Sequence, residues 1–283
     1  SDPVLVYPHK AASSVTLFPD DVERLKPGEF LNDSLIDYYL RYNFDHLPEQ
    51  RRSEAYLFNT FFYKKLTQKS TVKGKETATG HSAVEKWTRK ANVDLFSKKY
   101  VIIPVNEALH WYLVVIANLD KCVFGEWTDT RSQKSHIEED VPEHIEQDEP
   151  VILILDSLRN RHNKVYGTIK QYLAAEAEVR RGQKLDTEQI NTCLAAVPGQ
   201  DNFSDCGLFL IHYAEKMLQE PDAVLRDLLQ RTGYKREESF KKAQEAQREL
   251  WEIDKIASRR VDMVDEILTR GEAWKKEHEA DMR

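Results

Sequence analysis

The run VILIL at 151–155 constrains the fold most. Five consecutive apolar residues, three of them β-branched, read as a short strand buried on both faces. Two further strand signals precede it, YVIIPV at 100–105 and HWYLVVIA at 110–117, with NEAL between them as a tight connection. The longest clean apolar run, WYLVVIA at 111–117, falls far short of the roughly 20 residues a membrane helix needs. No N-terminal signal pattern is present.

Around these strands the sequence reads as helical. Gly and Pro together number only 20 of 283 residues, which disfavours turn-dense all-β architecture. Residues 3–18 read as an extended lead-in with a short strand, and Asp20 and Asp21 as the opening of a short helix. After a Pro27-Gly28 turn, Leu31, Leu35, Tyr38, Tyr39 and Tyr42 recur at helical spacing, with Asn32 or Asp33 as cap. Residues 55–66 are dense in aromatics, and 67–80 read as a Lys/Thr/Gly-rich loop. Val165, Ile169, Tyr172 and Leu173 mark an amphipathic helix, and 190–197 a further strand. CGLFLIHYAEKML at 206–218 is apolar almost all round at its start and reads as a buried helix. Beyond Arg236, the residues Leu250, Ile253, Ile256, Val261, Val264 and Ile267 mark a solvated helical tail packing one stripe.

With a net charge of −7 a duplex-binding surface is not the default reading, and ten of the acids fall between 120 and 149. That segment reads as an inserted, mobile surface loop. The expected organisation is one catalytic domain over 1–283, with a core at about 15–218, the acidic insert at 120–149 and a helical extension at 236–283. The first Met is Met217 and the chain starts Ser-Asp-Pro, as expected for a region excised from a longer protein. The three cysteines, Cys122, Cys193 and Cys206, are too few and too scattered for a disulfide framework and suit a reducing compartment.

Three residues able to do chemistry sit where regular elements begin or end. Cys206 opens the buried helix, where unpaired N–H groups and the macrodipole favour a thiolate. His110 opens a strand and is the candidate base for that thiol and acid for a leaving amine. Asp156 directly follows VILIL and is placed to orient the imidazole through its second nitrogen. Gln200, six residues before Cys206, is the candidate side-chain donor to an oxyanion, together with the Cys206 N–H. Gly207 is read as a place where a substrate backbone could approach. Cys122 and Cys193 read as structural.

HWYLVVI, ILDSL and PGQDNFSDCGLFL, with FLNDSLIDYYL and FNTFFYKKL upstream, resemble the ubiquitin-like-protein-specific proteases, the SUMO-deconjugating cysteine proteases. The resemblance spans about residues 15–218. IPVNEALHW, NFSDCG and the long insert are most similar to the chain-editing branch. It implies a papain-like α+β fold, a mixed sheet packed against the nucleophile helix, and catalytic roles for His110, Asp156, Gln200 and Cys206. It also implies a narrow slot for a Gly-Gly tail, covered by Trp111 and by Phe30, which stands where the family commonly has Trp. Asp33 matches a carboxylate that pairs with a basic residue on SUMO, and Phe58 an aromatic that packs on it. The implied activity is a thiol isopeptidase cleaving SUMO from lysines and trimming poly-SUMO chains, without cofactor, as a nuclear monomer binding neither nucleic acid nor membrane. Other readings remain open: a protease for another modifier such as NEDD8, a SUMO-binding module without activity, and a zinc site using Cys206 and His110.

Overall fold

The computed structural model describes residues 2–69, 78–125, 144–231, 245 and 247–281. A small antiparallel ribbon, β1 (Leu5–Tyr7) and β2 (Val15–Leu17), precedes the main sheet, with the short helices α1 (Pro19–Glu23) and α3 (Glu49–Glu54) between the two. That sheet has five strands: β3 (Ala55–Leu57), β4 (Tyr100–Glu107), β5 (His110–Ala117), β6 (Val151–Leu155) and β7 (Asn191–Leu194), in that spatial order. The central pairs, β4–β5 and β5–β6, are antiparallel, and the outer pairs, β3–β4 and β6–β7, are parallel. All five residues of β6 are completely buried, as the apolar run requires.

Alternation along the strands feeds two separate cores. Ile102, Leu113, Val115, Leu153 and Leu155 face one side, packing with α2 (Asp33–Asp45) and α7 (Cys206–Gln219). Val101, Ile103, Val114, Ile116, Ile152 and Ile154 face the other, with Phe62, Val84 and Ile169. Those three belong to α4 (Phe61–Leu66), α5 (His81–Lys90) and α6 (Asn163–Arg181). Pro104 is tolerated inside β4 because β3 ends opposite Ile102, so no neighbouring strand asks for its missing N–H.

Several boundaries differ from the sequence reading. Asn106 and Glu107 belong to β4, and Glu107 pairs with His110. The connection is therefore only Ala108-Leu109, both at positive φ (50° and 64°), as a two-residue hairpin with strand-matched twist requires. The strand expected over 190–197 is shorter, Asn191–Leu194, pairing in parallel with Val151–Ile154 of β6. α5 carried no clear sequence signal. Of the acidic insert, 126–143 lie outside the described residues; its C-terminal flank is anchored by Ile145, which is buried in the core.

The chain closes with a helix over Arg259–Asp281. Met263 and Ile267 bury their side chains, Tyr39 donates to the Met263 carbonyl at 3.1 Å, and Trp274 bonds His9. Trp251, just upstream, is fully buried. Val261, expected in the packed stripe, is instead 73% exposed, because the buried face turns through Met263 and Ile267.

Candidate active site

Asp156 is the hub of the site. It directly follows β6 and is completely buried. One carboxylate oxygen, Oδ1, accepts from His110 Nε2 at 2.7 Å and from the Leu158 N–H at 2.8 Å. The other, Oδ2, accepts from His162 Nε2 at 2.7 Å and from the Asn160 N–H at 3.2 Å. Burial alone would raise the pKa of this carboxyl, but the bonds from His110 and His162 reverse that and hold it down to about 2. Asp156 is therefore a fixed negative charge at neutral pH.

His110 begins β5 and faces Asp156 on one side and Cys206 on the other. Because Nε2 serves the carboxylate, Nδ1 is the nitrogen left for the thiol. Burial alone would lower the imidazole's pKa, but bonds to Asp156 and to Cys206 outweigh it and raise it to about 9. The ring thus holds a proton at neutral pH.

Cys206 is the first residue of α7 and is 1% exposed. Its neighbour Gly207 has a different reason to be glycine from the one read in the sequence. A Cβ there would lie 2.9 Å from Leu31 Cβ and 3.4 Å from Ile36 Cδ1. The close approach is by the chain's own residues, which lets the segment leading into α2 lie against α7. The other two cysteines stay thiols: burial pushes Cys122 and Cys193 each up to about 12.

Gln200 lies on the loop before α7. Its Oε1 accepts from the Ser157 hydroxyl, and its Nε2 donates to the Asn202 carbonyl at 2.7 Å. Its own N–H donates to the Ser157 carbonyl at 3.1 Å, so the residue after Asp156 holds the amide in place. A side-chain amide has two N–H bonds, and the Asn202 contact uses one.

The residues expected to meet substrate divide. Trp111 is 3% exposed, and its indole N–H donates to the Leu31 carbonyl at 2.9 Å. It thereby ties the His110 strand to the segment carrying Phe30, which is 41% exposed. Asp33 is exposed at the first turn of α2; the cap is Asn32, whose Oδ1 accepts from the Leu35 N–H. Phe58 departs from expectation. It is 2% exposed and stacks on Phe62 with ring centroids 3.7 Å apart. It is a core aromatic with no surface to offer a partner.

His162 also belongs to the site, without a local signature in the sequence. Its ring stacks on Tyr112 at 3.8 Å between centroids, which aims Nε2 at Asp156. Tyr112 in turn donates to Glu107 at 2.5 Å. His110, Asp156 and His162 also form the one cluster of metal-ligand type among the described residues. Each ring uses its Nε2 on a separate carboxylate oxygen, so an ion taking all three would have to replace both bonds.

Against known proteins, residues 29–248 match the Ulp1 protease family, C-terminal catalytic domain. The chain belongs to the Ulp1 protease family. It is 37% identical over 290 residues to ubiquitin-like-specific protease 2 of Schizosaccharomyces pombe, covering 98% of this chain and 43% of that protein. Sentrin-specific protease 7 of Homo sapiens is 32% identical over 266 residues, covering 77% of this chain and 25% of that protein. The chain thus spans less than half the length of these relatives. A crystal structure described as "the de-sumoylating protease" superposes with TM-score 0.75 at 25% identity, covering 98% of this chain and 95% of that one. The catalytic domain of the Chaetomium thermophilum Ulp1-like SUMO protease shares the fold, with TM-score 0.51 at 19% identity, covering 76% of this chain and 79% of that one. The α+β architecture expected from the sequence, a mixed sheet packed on the nucleophile helix, is the architecture of this family.

Proposed function

We propose that this chain is a thiol isopeptidase that cleaves after the C-terminal Gly-Gly of SUMO, releasing SUMO from lysines and from poly-SUMO chains. The observation that carries the reading is the 2.7 Å bond from His110 Nε2 to the buried Asp156 carboxylate, with Cys206 close enough to help raise the imidazole's pKa. The likeness to ubiquitin-like-specific protease 2 and sentrin-specific protease 7 supports the choice of modifier and of chain editing.

In this mechanism the Cys206 proton already resides on His110 Nδ1, and the thiolate sulfur of that ion pair attacks the carbonyl carbon of the terminal glycine. The carbonyl electron pair moves onto oxygen. The Cys206 N–H and the second Nε2 hydrogen of Gln200 receive that oxyanion. As the tetrahedral intermediate collapses, the C–N bond breaks and His110 gives its proton to the lysine Nζ. Water, deprotonated by the now neutral His110, attacks the thioester carbon. The C–S bond breaks, freeing the SUMO carboxylate and returning the proton to the Cys206–His110 pair. Throughout, Asp156 keeps the ring oriented and stabilises its charge.

Asp33 and Phe30, both exposed, are the side chains this reading assigns to the modifier surface and the tail slot, with Trp111 beneath the slot. The reading includes nuclear action as a monomer, carried over from the family resemblance.

The test is a panel of modifiers carrying a C-terminal electrophile. The expected result is an adduct with SUMO on Cys206, together with cleavage of di-SUMO. An adduct with a NEDD8 probe and not with SUMO would overturn the choice of modifier. SUMO binding without adduct or cleavage would make the chain a binding module.

A further inference from the structure

Arg260 lies in the closing helix, outside the region that matches the family's catalytic domain. Its guanidinium nevertheless reaches the active-site loops and is only 11% exposed. Nε and Nη2 both donate to Asp205 Oδ1, at 3.0 and 2.7 Å. Nη2 also reaches the carbonyls of Ser204 at 3.3 Å and Glu29 at 2.8 Å. Nη1 donates to the carbonyls of Arg24 at 3.2 Å and Lys26 at 3.0 Å. Arginine offers five N–H donors in a rigid fork, and this geometry gives acceptors to all three nitrogens.

What the fork joins gives it meaning. Asp205 immediately precedes Cys206, and its second carboxylate oxygen accepts from Asn202 Nδ2 at 2.8 Å. Asn202 is the residue whose carbonyl holds Gln200. On the far side, Glu29 immediately precedes Phe30 and Leu31, and the Leu31 carbonyl accepts from Trp111, next to His110. The carbonyls of Arg24, Lys26 and Glu29 are gathered by the Pro27-Gly28 turn, where Gly28 adopts φ +84°. One path of bonds therefore runs from His110's neighbour through residues 29–31 and Arg260 to Cys206's neighbour.

We propose that Arg260 is a positioning residue that sets the distance between the two walls of the tail slot, residues 24–31 and residues 200–206. The proposal rests on the isopeptidase reading for the identity of the slot. The closing helix has other anchors besides this side chain. Arg259 bonds Glu215 at 2.7 Å, Arg270 bonds Tyr38 at 2.9 Å, and Met263 and Ile267 are buried. Removing the Arg260 fork should therefore loosen the slot and leave the helix in place.

The experiment compares wild type, Arg260→Ala and Arg260→Lys on the full chain. Three readouts are taken: SUMO-substrate kcat and KM per titrated Cys206, the iodoacetamide alkylation rate of Cys206, and hydrogen exchange at 24–31 and 200–205. Small displacements of catalytic groups cost on the order of a hundred-fold, so the expected loss in kcat/KM for Arg260→Ala is about ten-fold or more. Faster exchange in both segments, a changed alkylation rate and partial recovery in Arg260→Lys are expected alongside it. A purely structural residue would lower the number of titratable sites and leave the rate per site unchanged. Wild-type exchange and alkylation in Arg260→Ala would overturn the proposal whatever the substrate. Failure of wild type to cleave SUMO would overturn the isopeptidase reading, with exchange and alkylation still deciding the role of Arg260.

Discussion

His162 Nε2 donates to Asp156 Oδ2 at 2.7 Å, the carboxylate oxygen that His110 does not use. The buried carboxylate is thus held from both sides, and its orientation toward His110 is fixed by a residue outside the triad. Hydrogen bonds to charged groups contribute about 1.5–3 kcal/mol. His162→Ala should cost on the order of ten-fold in kcat/KM. It should also move the alkaline limb of the rate profile to lower pH, since a less firmly ionised Asp156 supports less charge on His110. His162→Gln, which retains an N–H donor, should recover part of the loss. Steady-state kinetics across pH checks all three.

Stability should depend on pH through the same pair. His110 is raised to about 9 in the folded protein, above an ordinary value near 6.5. Its contribution is complete below about pH 6.5 and is lost as pH rises through 9. Full expression of that shift corresponds to roughly 3 kcal/mol, an upper figure for a ring that keeps some solvent contact. Asp156, held down to about 2, contributes above its ordinary value near 3.8 and loses that contribution as pH falls through 2. Urea unfolding should show wild type losing stability between pH 6.5 and 9 and His110→Ala losing markedly less.

Gly207→Ala should destabilise the domain even though alanine is the better helix former. The new Cβ would sit 2.9 Å from Leu31 Cβ, so the nucleophile helix or the segment before α2 must move. Overpacking of this kind costs about 1–3 kcal/mol, against about 1 kcal/mol gained in helix propensity. A lowered thermal midpoint, with a loss of activity larger than the loss of folded protein, is the expected result.

Phe30 tests the slot. It is 41% exposed, next in sequence to Leu31, whose carbonyl the buried Trp111 bonds, as a ring that gains cover when a tail is bound should be. Burying a phenylalanine contributes roughly 1.5–3 kcal/mol, so Phe30→Ala should raise KM for a SUMO substrate about ten-fold with less effect on kcat. Phe30→Trp, restoring the larger roof usual in the family, should lower KM.

How far the sequence was legible follows from what each residue depends on. β4, β5 and β6 could be read because strands buried on both faces write their environment into a continuous run of Val, Ile and Leu. The positions of His110, Asp156 and Cys206 could be read because each stands at an element boundary. Phe58 could not: a core aromatic and a partner-facing one look alike until Phe62 is seen stacked on it. His162 was hidden because its role depends on the turn after Asp156 bringing it back over the carboxylate, a tertiary fact with no local signature. Arg260 was hidden in a tail of alternating charge, and only packing of the closing helix brings it to Asp205. Gly207 was visible as a glycine, but its reason lies in Leu31, distant in sequence.

In the proposed reaction Cys206 is the nucleophile for a SUMO C-terminus. The most direct measurement of that role is mass-spectrometric mapping of the adduct formed with SUMO carrying a C-terminal electrophile, in wild type and in Cys206→Ser. Cys122 and Cys193, each pushed up to about 12 by burial, serve as internal controls. The account predicts one adduct per wild-type chain, mapped to Cys206, and none in Cys206→Ser, which also loses di-SUMO cleavage. An adduct on Cys122 or Cys193, or di-SUMO cleavage undiminished in Cys206→Ser, would contradict it.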